Sequence, residues 1–535
     1  MDLLFAENSK RKTTELNQDA IKDLALQEIL DDIAGNESNM IIVRDIMTRL
    51  PEDPDDIRYR QEIMKDFMNS ESLVDAMEES LEAVKTLKDY NSMKTKTFMT
   101  QDKGTLYTIL ENLRELAVFV NVTEDIVRIL KSNDVKSTGL KRLLEGLEEA
   151  VNDEFFEKAK KDINKMLEDL SCVRGAIVGV NFSPDLNVQE VSAVEFVPYK
   201  IRSKYKFAEI AASISNIMNA AASTNSIGQP QVATKVVDPL LVTMTPLIEK
   251  HLKKHFVRLN TIMSSYVHLD SNNIIEMYEA LIFYISMARF AKRLESIGCD
   301  ICMPKIRTKK NLSESEFNIK DIYNVRLVFA GEKNIVKNDF TFTPKEKLYI
   351  LTGPNRGGKT IIEQAIGIVS VFASSGSFVT ASSCTGLPFK NILTHFPIDE
   401  NLTINYGRLG EEAVRIKEIV KETDDRTLIL FNETYSTTSA EDGLYLSKDL
   451  LKVLKEKGSA CIFNTHIHAV ARSIEEMNGW KGESDFVSII MEIKDNVNTF
   501  HVKRSEPDSC SYARNIAEKY GITYEQMIEE EDDSE

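Results

Sequence analysis

Glycine and proline are scarce. The chain carries 22 glycines and 13 prolines in 535 residues, against a combined share of about 12% in ordinary globular proteins. So few turn residues argue against closely spaced turns and favour long helices. Cysteine is equally sparse: six residues in a chain of this length make no disulfide framework. Cys299 and Cys302 form a Cys-x-x-Cys pair, but no second pair completes a zinc site and no thioredoxin-like pattern surrounds it, so the pair reads as structural. Long apolar runs are missing as well. No stretch approaches the ~20 residues of a membrane span, and the opening MDLLFAENSKRKTTE lacks the apolar core and cleavage site of a secretory signal. A cytoplasmic location is therefore expected. Basic residues are in deficit: 66 Lys and Arg face 84 Asp and Glu, a net charge of −18. That balance argues against a protein that coats nucleic acid through its overall field and leaves only a local basic patch for such contact.

What is present is a globular composition. Hydrophobic residues make up 42% and charged residues 28%, and the length suffices for about three or four domains with a large core. From about Thr13 to Leu170 apolar residues recur at spacings of three and four, as in Ile21, Leu24, Leu26, Ile29 and Leu30, which predicts helices. Pro51, Pro54 and the acidic run between them mark a break, and the helical pattern resumes from Ile57 to Leu87. Residues 173–197 alternate instead, and the turn Ser183-Pro184-Asp185 divides them into the two strands of a hairpin. Residues 211–235 are small and polar and read as a flexible connection. Helical periodicity returns from Pro239 to about Gly298 and includes Lys250, Lys253, Lys254 and Arg258, a solvated helix face with nucleic-acid contact as the alternative. From Pro304 the texture changes. Short β-rich segments at Val325–Phe329, Leu348–Leu351, Leu428–Phe431 and Ala460–Asn464 alternate with helical ones, the pattern of an α/β sheet with crossover helices. The final Glu-Glu-Glu-Asp-Asp-Ser-Glu reads as a frayed acidic tail.

Gly353-Pro354-Asn355-Arg356-Gly357-Gly358-Lys359-Thr360 satisfies the P-loop pattern G-x-x-x-x-G-K-[ST], follows the apolar strand Leu348–Leu351 and precedes an apolar helix through Phe372. Glycines there let backbone N–H groups curl around phosphate oxygens, Lys359 reaches the β and γ phosphates of ATP, and the Thr360 hydroxyl ligates Mg²⁺. Downstream, Leu428–Phe431 ends in Asn432-Glu433. In ATPases of this type an acid at the first position holds the metal through water and the following Glu activates the attacking water. The neutral Asn432 should hold Mg²⁺ less tightly than an acid; Glu433 keeps its role as the base. A third strand, Cys461–Asn464, delivers Thr465-His466, which places the His466 imidazole to sense the γ phosphate.

These residues together resemble the MutS family of mismatch-repair ATPases, which belong to the ABC class of P-loop proteins. Thr352-Gly353-Pro354-Asn355 with Gly357-Gly358-Lys359 is similar to the family's TGPN-x-GGK loop, and Asn432-Glu433 with Thr438-Ser439 and Asp442-Gly443 to its DE…TS..DG stretch. Thr465-His466 is similar to its ATH switch, Gly376-Ser377-Phe378-Val379 with Ala381 to its GS[YF]VPA turn, and Ser511-Tyr512 with Tyr520-Gly521-Ile522 to the end of its ATPase domain. Arg44 through Val74 resembles the start of the family's lever domain, and the hairpin near 173–197 sits where related proteins carry a clamp. The resemblance implies an α plus α/β multidomain protein: a helical lever region over 1–304 with a clamp-like insertion around 145–240, an ABC-type P-loop ATPase domain over 305–520, and the tail 521–535. It also implies a homodimer with ATP and Mg²⁺ bound between ATPase domains, and nucleotide state coupled to helical arms around DNA.

The departures from the pattern are specific. The family's mismatch-reading and connector domains have no counterpart, because lever-like helices begin near residue 13, and Phe5-Ala6-Glu7 imitates the family's Phe-x-Glu wedge by coincidence. Ile335, in the run to Asn338, stands where the family often stacks a Phe on adenine, so weaker nucleotide affinity is expected. Leu409, in Asn405–Gly410, falls where a signature serine reaches the partner's ATP. Arg356 replaces the usual Met and adds positive charge near the phosphates, partly offsetting Asn432. The acidic end is expected to carry no nuclease tail and no full helix-turn-helix extension. Two functions fit: an ATP-switched DNA clamp without mismatch reading, or a nucleotide-switched clamp on a protein partner with weak or no hydrolysis, which the net charge favours.

Overall fold

A computed structural model describes residues 2–97, 106–170, 175–185, 188–197, 199–200, 272–307, 316–354, 356–397, 408–436, 438–494, 497–506, 523–524 and 526. Of the features read from sequence, the polar segment 211–235, the basic stretch 250–258, Asn355, residues 405–407, the segments 511–512 and 520–522 and the acidic end lie outside the described residues. Among those described, no helix is long and apolar enough to cross a membrane. Contacts divide the chain into two compact units, one of Met1–Glu79, Leu130–Leu143 and Glu276–Glu535, the other of Ser80–Ile129 and Leu144–Ile275.

The first unit opens with β1 (Thr13–Glu15), α1 (Gln18–Asp23), α2 (Leu26–Ala34), α3 (Glu37–Thr48), β2 (Arg49–Pro51) and α4 (Pro54–Asn69). Asn17 starts α1 by accepting from the Ala20 amide at 2.7 Å, and Asp53 starts α4, with Pro54 in its first turn. The continuous helical pattern expected from Thr13 is broken here: β1 and β2 pair antiparallel, Thr13 opposite Pro51. β-branched threonines and a proline that cannot donate suit such a short edge pair.

Few turn residues do mean long helices. α5 (Glu71–Thr97) and α6 (Leu106–Ser132) each run 27 residues, followed by α7 (Thr138–Val151) and α8 (Glu154–Leu170). Within the second unit Phe119 packs edge-on against Phe156 with centroids 6.2 Å apart. Its hairpin, β3 (Gly175–Phe182) and β4 (Val188–Val197), pairs antiparallel from Gly175 opposite Val197 to Phe182 opposite Val188, with register shifts at Ile177/Val178 and at Asn181/Phe182. Helix α9 (Asn272–Ser296) returns to the first unit, where Tyr284 stacks on Phe67 and donates to Leu3 O at 2.7 Å.

The remaining elements are β5 (Lys305–Ile306), β6 (Phe317–Ile322), α10 (Val325–Phe329), β7 (Asn338–Phe342), β8 (Glu346–Thr352), α11 (Lys359–Ser375), β9 (Ser383–Gly386), β10 (Asn391–His395), α12 (Arg408–Glu422), β11 (Thr427–Asn432), α13 (Ala440–Lys457), β12 (Ala460–Asn464), α14 (His468–Arg472), α15 (Ile474–Asn478), β13 (Asp485–Lys494) and β14 (Val497–Arg504). Six strands form one sheet in the order β10-β11-β12-β8-β13-β14. All neighbours are parallel except the closing β13–β14 hairpin. Buried on both faces, β11 and β12 read as continuous apolar runs, as parallel strands do. Ile429, Phe431, Cys461 and Phe463 pack with Leu450, Leu451 and Leu454 of α13, while α11 is buried along nearly its whole length. Crossovers are helical, so the C-terminal ends of β8, β11 and β12 lie side by side, where open α/β sheets place ligands.

Val325–Phe329, expected as strand, is the helix α10. Asn324 accepts from the Arg326 amide at 3.0 Å and caps it, and a five-residue apolar run carries no period that separates strand from helix turn. Arg60 of α4, fully buried, ties the N-terminal helices to α11 by donating to Leu4 O at 2.9 Å and Ser375 O at 3.2 Å. Gly376 permits this approach, because a Cβ there would lie 2.6 Å from Arg60 Cβ and the backbone is left-handed at φ 87°.

Candidate nucleotide site

Strand β8 ends at Thr352 and α11 starts at Lys359, so the glycine-rich turn occupies the strand–helix junction the motif requires. Gly358 takes φ 89° as the N-cap and supplies no side chain, so no side-chain bond caps α11 among the described residues. The first-turn N–H groups therefore remain open to an anion, with the helix dipole in support. Lys359 folds back and donates to the turn's own Gly353 O at 2.9 Å and Pro354 O at 3.2 Å. Burial lowers its pKa, against the opposing charges of Glu433 and Glu363. A buried cation that, among the described residues, is hydrogen-bonded only by neutral carbonyls beside uncapped N–H donors fits a polyphosphate.

At the end of β11 the Asn432 amide oxygen accepts from the Thr360 hydroxyl at 3.4 Å and from Asn464 Nδ2 at 2.6 Å. A hydroxyl and an amide oxygen are hard donors of the kind Mg²⁺ takes. The backbone then turns left-handed at Glu433 (φ 52°) and Tyr435 (φ 61°). Such non-glycine strain persists only where neighbours enforce it. Here the Glu433 amide donates to Asn464 O at 2.9 Å and the Tyr435 amide to the Glu412 carboxylate at 2.8 Å. The Thr465 amide donates to Leu351 O at 3.0 Å, which brings β12's end against β8, and His466 is exposed there. Ser439 caps α13 by accepting from the Asp442 amide at 3.1 Å, and its hydroxyl donates to the Asp442 carboxylate at 2.7 Å, so the Thr-Ser…Asp-Gly stretch forms the N-cap of that helix.

A cavity of about 450 Å³ lies over the turn, lined by Pro354, Arg356, Gly357, Gly358, Lys359, Thr360, Glu433, Ile335 and Asn338. The structure thus brings these expected residues together; Gly353 accepts from Lys359 at the rim, while Asn432 sits one bond behind Thr360. Asn338 lines the cavity with its amide engaged, donating to Phe500 O at 3.1 Å and accepting from the Val502 amide at 2.7 Å. Leu409 lies on the first turn of α12. Sequence reading missed Phe500, which closes the cavity from β14 in a left-handed conformation at φ 60°. Nothing in its local sequence marks it. It missed Glu363 and Asn464 too, although Asn464 immediately precedes Thr465-His466.

Behind Glu433, His395 is buried with Nδ1 3.0 Å from the Thr434 hydroxyl. Burial, helped by the Arg415 charge, holds its pKa down at about 4 from the ordinary 6.5. The folded state therefore prefers the neutral ring, so this contribution is complete above pH 6.5 and is lost as pH falls toward 4, about 3 kcal/mol in all. His395→Asn is expected to flatten the parent's loss of melting temperature between pH 6.5 and 4.5; equal slopes in the two proteins would contradict the assignment.

A glycine-rich turn between a central parallel strand and a buried helix, with polar ends of neighbouring strands converging on it, defines the class of P-loop α/β proteins. Comparison with known proteins narrows the class. Residues 349–532 match the family model MutS domain V, and residues 52–192 match the MutS2 N-terminal domain. The chain belongs to the MutS family. Among its relatives, Endonuclease MutS2 of Caldicellulosiruptor bescii is 24% identical over 399 residues, covering 72% of this chain and 46% of that one. Endonuclease MutS2 of Thermus thermophilus is 26% identical over 33% of this chain and 24% of its own length. DNA mismatch repair protein MutS of Macrococcus caseolyticus is 25% identical over 37% and 24%. The chain spans less than half the length of each of these relatives.

Proposed function

We propose that this protein is an Mg²⁺-dependent ATPase that uses nucleotide to switch helical arms around DNA, without reading mismatches itself. One observation carries the nucleotide reading: Lys359, Thr360 and Glu433 line a single cavity at the C-terminal ends of parallel strands, with Asn432 directly behind Thr360. The loop's N–H groups and Lys359 bind and orient the phosphates. Thr360 and Asn432 would hold Mg²⁺, which supplies charge neutralisation between the β and γ phosphates. Glu433 takes the proton of the attacking water, His466 senses the γ phosphate, and Ile335 with Asn338 faces the base.

DNA as the partner is supported by the family and by the printed names of its mismatch-repair relatives. Binding is assigned to the helical region over 1–304 with the hairpin insertion, switching to the P-loop domain over 305–520, and the working form to a homodimer in the cytoplasm. The net charge of −18 favours the second reading, a clamp on a protein partner. Fluorescence anisotropy with duplex, branched and mismatched DNA over a salt series separates the two. The DNA clamp predicts nucleotide-dependent affinity that falls with salt through counterion release and is equal for matched and mismatched duplex; no affinity even at low salt removes it.

A further inference from the structure

Behind Asn432 lies a buried polar chain that the reaction described above does not use. Asn432 and Asn464 are register partners at the ends of β11 and β12, and Asn464 Nδ2 donates both to Asn432 Oδ1 at 2.6 Å and to Glu363 Oε2 at 3.4 Å. Glu363 sits three residues beyond Thr360 on α11, close to one helical turn and so on the same face. Glu363 and Asn464 are both wholly buried. Each has one oxygen, Glu363 Oε1 and Asn464 Oδ1, without a partner among the described residues.

We propose that Glu363 and Asn464 are positioning residues that fix the Asn432 amide with its oxygen toward Thr360, making an asparagine serviceable at a position that ordinarily needs an acid. This rests on the nucleotide reading above. A carboxylate presents two equivalent oxygens, so either orientation offers an acceptor to a cation's water shell. An amide presents an oxygen on one side and two N–H donors on the other, and a flipped Asn432 would aim donors at the cation. Something must therefore select the rotamer. Glu363, as an acceptor, claims the Asn464 amide nitrogen. The second hydrogen of that nitrogen reaches Asn432, which pins the Asn432 oxygen as the acceptor and leaves it on the Thr360 side. Burial pushes the Glu363 carboxyl well above the usual carboxylate range, and with or without its proton it keeps an oxygen that accepts from Asn464. Glutamine at 363 reproduces that acceptor; leucine does not.

The test uses the full chain with a non-hydrolysable ATP analogue and reads Mn²⁺ affinity by electron paramagnetic resonance. Glu363→Leu and Asn464→Ala are each expected to weaken Mn²⁺ binding about five- to tenfold, the worth of one lost hydrogen bond. Metal-free analogue affinity should be unchanged, and Glu363→Gln should stay within about twofold of the parent. In an Asn432→Asp background the orientation no longer matters, so adding Glu363→Leu should change Mn²⁺ affinity little. Parent-like Mn²⁺ affinity in Glu363→Leu, or the same loss in both backgrounds, overturns the proposal. Should Glu363→Leu fail to melt cooperatively, Asn464→Ala with and without Asn432→Asp decides by the same criterion. A parent that binds the analogue but no Mn²⁺ removes the relay and leaves the nucleotide reading standing; a parent that binds neither removes both.

Discussion

Lys359→Ala is expected to abolish tight ATP binding. The ammonium is buried at the rim of the cavity and, among the described residues, is hydrogen-bonded only by the carbonyls of Gly353 and Pro354, neutral acceptors that a phosphate oxygen would replace with a charge-assisted bond. Each such bond is worth about 1.5–3 kcal/mol, so removing the donor should lower ATP affinity on the order of 100-fold in calorimetry with Mg²⁺ supplied. Folding should survive, because the uncapped turn keeps its glycine geometry without the side chain. Parent-like affinity in this variant would mean that the triphosphate does not use the turn.

Glu433→Gln separates binding from turnover. The Glu433 backbone is held left-handed by the bond from its amide to Asn464 O, and the side chain lines the cavity that Lys359 and Thr360 share. Glutamine keeps the shape and loses the base. Phosphate release should therefore fall about 10²- to 10⁴-fold, with ATP affinity held within a few-fold. Asn432→Asp should act in the opposite sense on metal binding, since a carboxylate holds Mg²⁺ more strongly than an amide, and measuring Glu433→Gln in that background keeps the comparison above the detection limit if the parent turns over slowly. Undiminished release would take Glu433 out of the catalytic role.

The turn and its flanks were legible because each obeys a local rule. Leu348–Leu351 is an unbroken apolar run, Gly358 precedes the lysine, and the apolar pattern of α11 follows at once. Asn432 ends the apolar run of β11, and Thr465-His466 follow directly after that of β12, at the sheet edge where open α/β folds place ligands. Local rules failed where the deciding contact is distant in sequence. Val325–Phe329 has strand composition but is a helix turn because Asn324 caps it. Glu363 looks like one more polar residue on a helix; only the fold sets it against Asn464, 101 residues away. Phe500 closes the cavity by virtue of the β13–β14 hairpin, whose pairing no short motif announces. The paired edge strands β1 and β2 were hidden for the same reason, being 3 residues each with partners 38 positions apart at Thr13 and Pro51.

The most direct measurement is a crystal structure of the parent with Mg²⁺ and a non-hydrolysable ATP analogue. The nucleotide account predicts that Lys359 Nζ leaves the carbonyls of Gly353 and Pro354 for the β and γ phosphates, with the Thr360 hydroxyl on the metal and the Asn432 oxygen directed at its water shell. A triphosphate bound elsewhere, or an analogue-saturated protein in which Lys359 keeps its bonds to the turn, would contradict it.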